Sequence, residues 1–174
     1  FVTYYIPTKK NSNFPTSKFY ELWKKLFYSQ NYNMKNFVHK DFEFVNLFFL
    51  ENCESHLQCG IIDFQSAFKG FIGWDLISLL ENPRINFTRD YNDKLIEYFY
   101  YNTSIIENFN TFLEQYYVLS LARQTRLLGR WRKLLSINND KQYLDYLKIT
   151  KSRTIVILNN IKNHELRSIY EKYL

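Results

Sequence analysis

From Gly73 to its end the chain is written almost wholly in helical periodicity, and this does most to narrow the fold open to it. Trp74 to Leu80 is an apolar helix stopped by Asn82-Pro83. Tyr91 to Tyr101 repeats Tyr91, Leu95, Tyr98 and Phe99 at helical spacing. Glu107 to about Leu135 reads as one long amphipathic helix with Gly129 as a candidate kink, and Lys141 to Ile161 and His164 to Leu174 complete the run. Upstream, residues 7–18 read as loop, and Thr16-Ser17 offer a cap to a helix from Lys18 to Gln30. Strand character is confined to a short middle stretch. Phe37-Val38 is a brief apolar entry, Asn46 to Leu50 and Gly60 to Phe64 are strand candidates, and polar Glu51 to Gln58 is the turn that pairs them antiparallel. The expectation is an α+β domain, mostly helical with one short β-hairpin.

At 174 residues the chain has the length of about one domain, with 46% apolar residues to bury. Its 15 Tyr and 16 Phe accompany abundant Asn, Lys and Ile, a pattern of AT-rich codon usage, so the aromatic excess is not read as function. Net charge is +6, a modest field that would favour an anionic partner such as a nucleotide and that surface composition explains more simply. No block of five like charges occurs, so a nucleic-acid tail is not indicated. Cys53 and Cys59 form no Cys-x-x-Cys pair, and His56 between them completes no zinc pattern. So few cysteines fit a cytoplasmic protein. There is no run of 18 apolar residues, so no membrane span is expected. The first ten residues lack a signal-peptide layout and begin with Phe, which suggests an excised domain.

The chemistry is concentrated between His39 and Leu80. The segment opens His39-Lys40-Asp41-Phe42-Glu43-Phe44-Val45-Asn46, a His-x-Asp with an Asn five residues beyond the Asp. Ile62-Asp63-Phe64-Gln65 follows, then Gly70 and Trp74-Asp75-Leu76. Phosphoryl transfer needs such residues. A hard divalent cation that bridges phosphate oxygens takes oxygen ligands, which an Asn amide and a strand-end Asp provide. A further carboxylate must orient the incoming hydroxyl and accept its proton. Protein kinases divide the labour in the same order, as His-Arg-Asp-x-x-x-x-Asn and then Asp-Phe-Gly. Here Asp41 is the candidate base, and Asn46 and Asp63 are the candidate Mg²⁺ ligands. Asn46 opening one strand and Asp63 closing its partner would bring them side by side.

These residues, with Ile62-Asp63-Phe64-Gln65-Ser66-Ala67, Gly70 and Trp74-Asp75-Leu76-Ile77-Ser78-Leu79-Leu80-Glu81-Asn82-Pro83-Arg84, resemble the aminoglycoside phosphotransferase superfamily. Within it they are most similar to bacterial amino-sugar kinases, which phosphorylate N-acetylmuramate and N-acetylglucosamine at the anomeric hydroxyl in cell-wall recycling. Tyr4-Tyr5-Ile6-Pro7 and the stretch Arg123 to Trp131 resemble that group too, so the likeness covers most of the chain. It implies a protein-kinase-like C-terminal lobe over residues 1–174, with ATP and Mg²⁺ as cofactors and a small-molecule hydroxyl as acceptor. Asp41 would be the catalytic carboxylate. Asp75 would brace the catalytic loop through its backbone amides, with His39 packed beneath it. Glu43, Gln65, Arg123 and Arg126 are the substrate-binding candidates. Glu43 stands where the amino-sugar kinases tend to carry His, and Lys40 and Ser66 depart from their Arg and Asp. No Gly-rich phosphate loop or Val-Ala-x-Lys-like strand occurs in these residues. The N-terminal lobe that would cover the nucleotide is therefore expected to lie in cis outside this sequence, and the chain alone is expected to be weak or inactive.

Aminoglycoside or choline-type kinases are the alternative acceptor classes. Two readings of another kind remain. Arg123, Arg126 and Arg130 recur at helical spacing and share a face, which suits a sugar carboxylate, a nucleic-acid backbone or plain solvent. A helical interaction module that keeps only the kinase shape is the other.

Overall fold

The computed structural model describes residues 1–8, 13–85 and 87–174. In chain order the elements are α1 (Thr16–Ser29), β1 (Asn36–Val38), β2 (Leu47–Phe49), β3 (Cys59–Ile61), β4 (Phe68–Gly70), α2 (Trp74–Leu80), α3 (Arg89–Tyr101), α4 (Phe109–Asn138), α5 (Gln142–Leu158) and α6 (His164–Tyr173). Single 3₁₀ turns punctuate them at Ile6–Thr8, Phe44–Asn46, Ser55–Gln58 and Phe64–Ser66. The contacts divide into two compact units, Phe1–Asn31 with Glu107–Leu174, and Tyr32–Ile106.

The first unit is helical and its core is aromatic. Phe19, Trp23 and Tyr170 meet edge to face, and Phe14 sets its ring against Phe19 and Tyr173. Part of the Tyr and Phe content is packed here, as large rings in offset contacts, while others such as Tyr28, Phe49 and Tyr101 stay exposed. Tyr170 is fully buried, yet its hydroxyl accepts from Trp23 Nε1 at 3.2 Å and is bonded to Thr125 Oγ1. Burial raises its phenol above the ordinary range, so the hydroxyl stays protonated. Asn108 caps α4 by accepting from Thr111 N, and Asn163 caps α6 by accepting from Leu166 N. The residues of α4 from Gln115 to Leu121 are all buried, so this helix is enclosed on every side there and not striped as its sequence suggested. The helix runs through, and a Cβ at 129 would stand 2.3 Å from the Phe1 nitrogen, so the glycine serves close approach. Thr16 and Ser17 lie inside the first turn of α1, and Pro15 occupies its cap position. The expected loop over residues 7–18 falls partly outside the described residues.

The second unit carries two small antiparallel sheets where one was expected. β2 pairs with β3 as the anticipated hairpin, with Leu47 opposite Ile61 and Phe49 opposite Cys59. β1 pairs with β4 across some 30 residues, with Asn36 opposite Gly70 and Val38 opposite Phe68. Each of these strands is three residues long, too short for alternation to declare it. Gly70 suits this closure, because a Cβ there would lie 2.7 Å from the Phe68 ring and 3.0 Å from Val38, and one of those side chains would have to shift. α2 follows directly, with Ile77 and Leu80 buried, and ends at the expected Asn82-Pro83. Among the described residues no helix is long and apolar enough to cross a membrane.

Candidate functional site

The segment from His39 to Asn46 connects β1 to β2, and α2 grips it at its start. Asp75, in the first turn of α2, accepts from His39 N at 2.7 Å and from Lys40 N at 2.9 Å, one amide on each carboxylate oxygen. Two successive backbone N–H groups on one carboxylate make an anion nest, and the left-handed Lys40 (φ 78°) belongs to such a turn. Trp74 Nε1 and Ser78 Oγ both donate to the Lys40 carbonyl at 3.3 Å. α2 thus holds both the amide and the carbonyl of the residue immediately before Asp41. Burial pushes the Asp75 carboxyl above its ordinary value, while the two amides pull the other way.

His39 is buried, and its Nε2 lies 2.9 Å from the Ile62 carbonyl. A carbonyl only accepts, so Nε2 carries the proton and donates. The imidazole ties the loop to the end of β3 and is a strut.

The hairpin completes the arrangement. Asn46 ends the 3₁₀ turn just before β2 and does not itself begin the strand, and Asp63 lies two residues past β3. The ladder still runs one step further, because Ile62 N donates to the Asn46 carbonyl at 3.1 Å. Asp63 therefore follows directly on the residue paired with Asn46. It adopts a left-handed conformation (φ 70°, ψ 38°), which costs about 1 kcal/mol for a residue with a Cβ and turns the chain out of β3. The Asn46 amide nitrogen donates to the Asp41 carbonyl at 2.8 Å. This locks the amide plane and leaves Oδ1 as the end directed elsewhere. Gln65 Nε2 donates to Asp63 Oδ1 at 2.7 Å, so Gln65 orients the carboxylate.

The expected residues of the second unit thus form one connected set. Asp75 holds His39 and Lys40, His39 holds Ile62, Ile62 pairs with Asn46, and Asn46 holds the Asp41 backbone. Asn46 Oδ1 and the Asp63 carboxylate are hard oxygen donors, a set that fits Mg²⁺, which keeps water and phosphate for its remaining positions. Among the described residues no group of three or more His, Cys, Asp or Glu side chains is arranged for a metal.

Three of the substrate-binding candidates are placed as follows. Glu43 is engaged by Arg84, whose Nη1 donates to its Oε2 at 2.7 Å. Arg123 and Arg126 lie on α4 in the first unit, Arg123 buried and Arg126 and Arg130 exposed, so the three do not form one solvent-facing row. Sequence reasoning missed the parts played by Trp74, Ser78 and Arg84. The first two sit at positions i and i+4 of α2 beside Asp75, a spacing that announces a shared face. For Arg84 nothing in the chain points to a partner 41 residues away.

No protein-family model matches the chain. Over 138 residues, 79% of its length, the chain is 22% identical to the N-acetylmuramate/N-acetylglucosamine kinase of Caulobacter vibrioides, of whose length it spans 38%. That likeness supports a relationship to kinases, and it runs over most of the residues from which the loop and hairpin are built.

Proposed function

We propose that the chain belongs to an ATP-dependent phosphotransferase acting on a small-molecule hydroxyl, with an amino sugar of the N-acetylmuramate or N-acetylglucosamine kind as acceptor and a protein-kinase-like C-terminal lobe as its fold. The observation that carries this reading is the braced loop. A carboxylate, Asp41, follows a residue fixed on both its amide and carbonyl; Asn46 bonds the Asp41 backbone, and Asp63 follows the residue that pairs with Asn46 in the hairpin. The distant kinase likeness supports the chemistry, and the name of that relative suggests the acceptor.

In this mechanism Asp41 accepts a hydrogen bond from the acceptor hydroxyl, aims its oxygen at the terminal phosphorus of ATP and takes its proton as the new P–O bond forms and the bond to the bridging oxygen breaks, releasing ADP. Asn46 Oδ1 and the Asp63 carboxylate would hold Mg²⁺, which would neutralise charge on the transferring group. Asn46 serves twice, since its amide nitrogen also fixes the Asp41 backbone. Asp75, Trp74 and Ser78 keep the loop from relaxing, which matters because a positioning error of about 1 Å costs on the order of 100-fold in rate. The reading calls for a further lobe to cover the nucleotide. The reading implies the cytoplasm, where ATP is available.

The test is phosphate transfer from Mg²⁺ATP by the protein as its gene encodes it, with N-acetylmuramate, N-acetylglucosamine, an aminoglycoside and choline as acceptors. Turnover on an amino sugar is expected, falling at least about 1000-fold in Asp41→Asn with unchanged thermal stability. Turnover on the aminoglycoside or choline alone keeps the chemistry and changes the acceptor. Absence of nucleotide binding, or full activity in Asp41→Asn, would overturn the reading.

A further inference from the structure

Beyond Lys40 the loop is held by contacts that Asp75 does not make. Glu43 N donates to the Asp41 carbonyl at 2.9 Å and Asn46 N to the Glu43 carbonyl at 2.8 Å, so residues 41–46 fold as two linked turns with Glu43 at their junction. The Glu43 side chain is only 17% exposed and its Oε2 receives Arg84 Nη1 at 2.7 Å. Arg84 lies just past α2. Its own amide donates to Asn82 Oδ1 at 3.0 Å, and Asn82 is buried. Preceding Asn82 is Glu81, a buried carboxylate paired with Arg89 of α3 at 2.9 Å, and Asn92 of α3 donates to the Leu80 carbonyl at 3.1 Å. The segment that carries Arg84 is therefore fastened to α3 at two points.

We propose that Arg84 is a positioning residue for Asp41. Through Glu43 it fixes the second half of the loop, as Asp75 fixes the first, so that α2 and the residues just after it brace the loop from both ends. The inference rests on the phosphotransferase reading for its catalytic consequence and on geometry alone for its structural one. A guanidinium suits the task because its planar fork defines a direction, whereas an ammonium supplies only a point of charge. Glu43 then acts on the loop and not on the acceptor.

The experiment compares Arg84→Gln, Arg84→Lys and the parent, all as the gene encodes them, by amide hydrogen exchange and by kinetics. In Arg84→Gln, exchange at Glu43 and Asn46 is expected to rise about fivefold, with His39 and Lys40 unchanged because Asp75 still holds them. The catalytic constant is expected to fall about tenfold with the KM for ATP within about twofold, the signature of lost orientation and not of lost binding. Arg84→Lys should recover part of both effects. Unchanged exchange at Glu43 and Asn46 would overturn the proposal. So would an equal rise at His39 and Lys40 with a lowered melting temperature, which marks a general stabilising role. If the exchange pattern appears but the parent neither binds nucleotide nor transfers phosphate, the brace stands and the phosphotransferase reading fails.

Discussion

Replacing Asp75 by Asn tests the grip of α2 on the loop, because the change keeps the side chain's shape and removes half of its accepting capacity. The carboxylate offers one oxygen to His39 N at 2.7 Å and the other to Lys40 N at 2.9 Å. An amide offers a single oxygen. One donor then keeps a weaker, neutral partner, a loss of about 1 kcal/mol, and the other faces an NH₂ group, which costs about 1–3 kcal/mol. Relief from burying a charge offsets about 1 kcal/mol of this. The net destabilisation is about 2 kcal/mol, which for a chain of this size lowers the melting temperature by roughly 4–8 °C. Thermal unfolding followed by circular dichroism measures it, and hydrogen exchange at His39 and Lys40 locates it. The deficit also depends on pH. Because burial raises the folded-state value of Asp75 above its ordinary 3.8, the carboxyl's contribution is full below that pH and declines as pH rises through the folded value. Below it the protonated carboxyl still presents two oxygens without the charge. The parent's advantage over Asp75→Asn should therefore be larger at acid pH than at pH 7. A variant that melts with the parent and leaves both amides protected would refute the account of the nest.

Two further substitutions probe other links. Asn46→Asp keeps an oxygen for Mg²⁺ but turns a donor to the Asp41 carbonyl into a repelling carboxylate, so phosphate transfer should fall at least about tenfold although the ligand charge rises; activity equal to the parent would mean the bond to Asp41 is unimportant. Tyr170→Phe removes the acceptor for Trp23 Nε1, whereas Thr125 retains its bond to the Leu121 carbonyl, so a loss of about 1–2 kcal/mol in denaturant unfolding is expected.

Much of the second unit was legible before folding because its signals are local. The β2–β3 hairpin, the helix from Trp74 to Leu80 and its stop at Asn82-Pro83 each depend on residues within a few positions of one another. The order of Asp41, Asn46 and Asp63 was legible as well, since one short hairpin suffices to join them. The pairing of β1 with β4 was not, because three-residue strands separated by some 30 residues leave no periodic mark. Nor was the all-round burial of α4, which depends on what surrounds a helix and not on its own pattern.

The chain by itself determined where helices run, where the turns fall and which oxygen-bearing side chains stand near the hairpin, because propensity, punctuation and register act over short distances. Tertiary structure alone decided what those side chains do. It gave Glu43 to Arg84, set Gln65 on Asp63, gathered Phe19 and Trp23 around Tyr170, and brought Asp75 to the amides of His39 and Lys40. Each of these depends on the direction in which a side chain points after the backbone has closed on itself, and that direction is set by packing between residues far apart in the sequence.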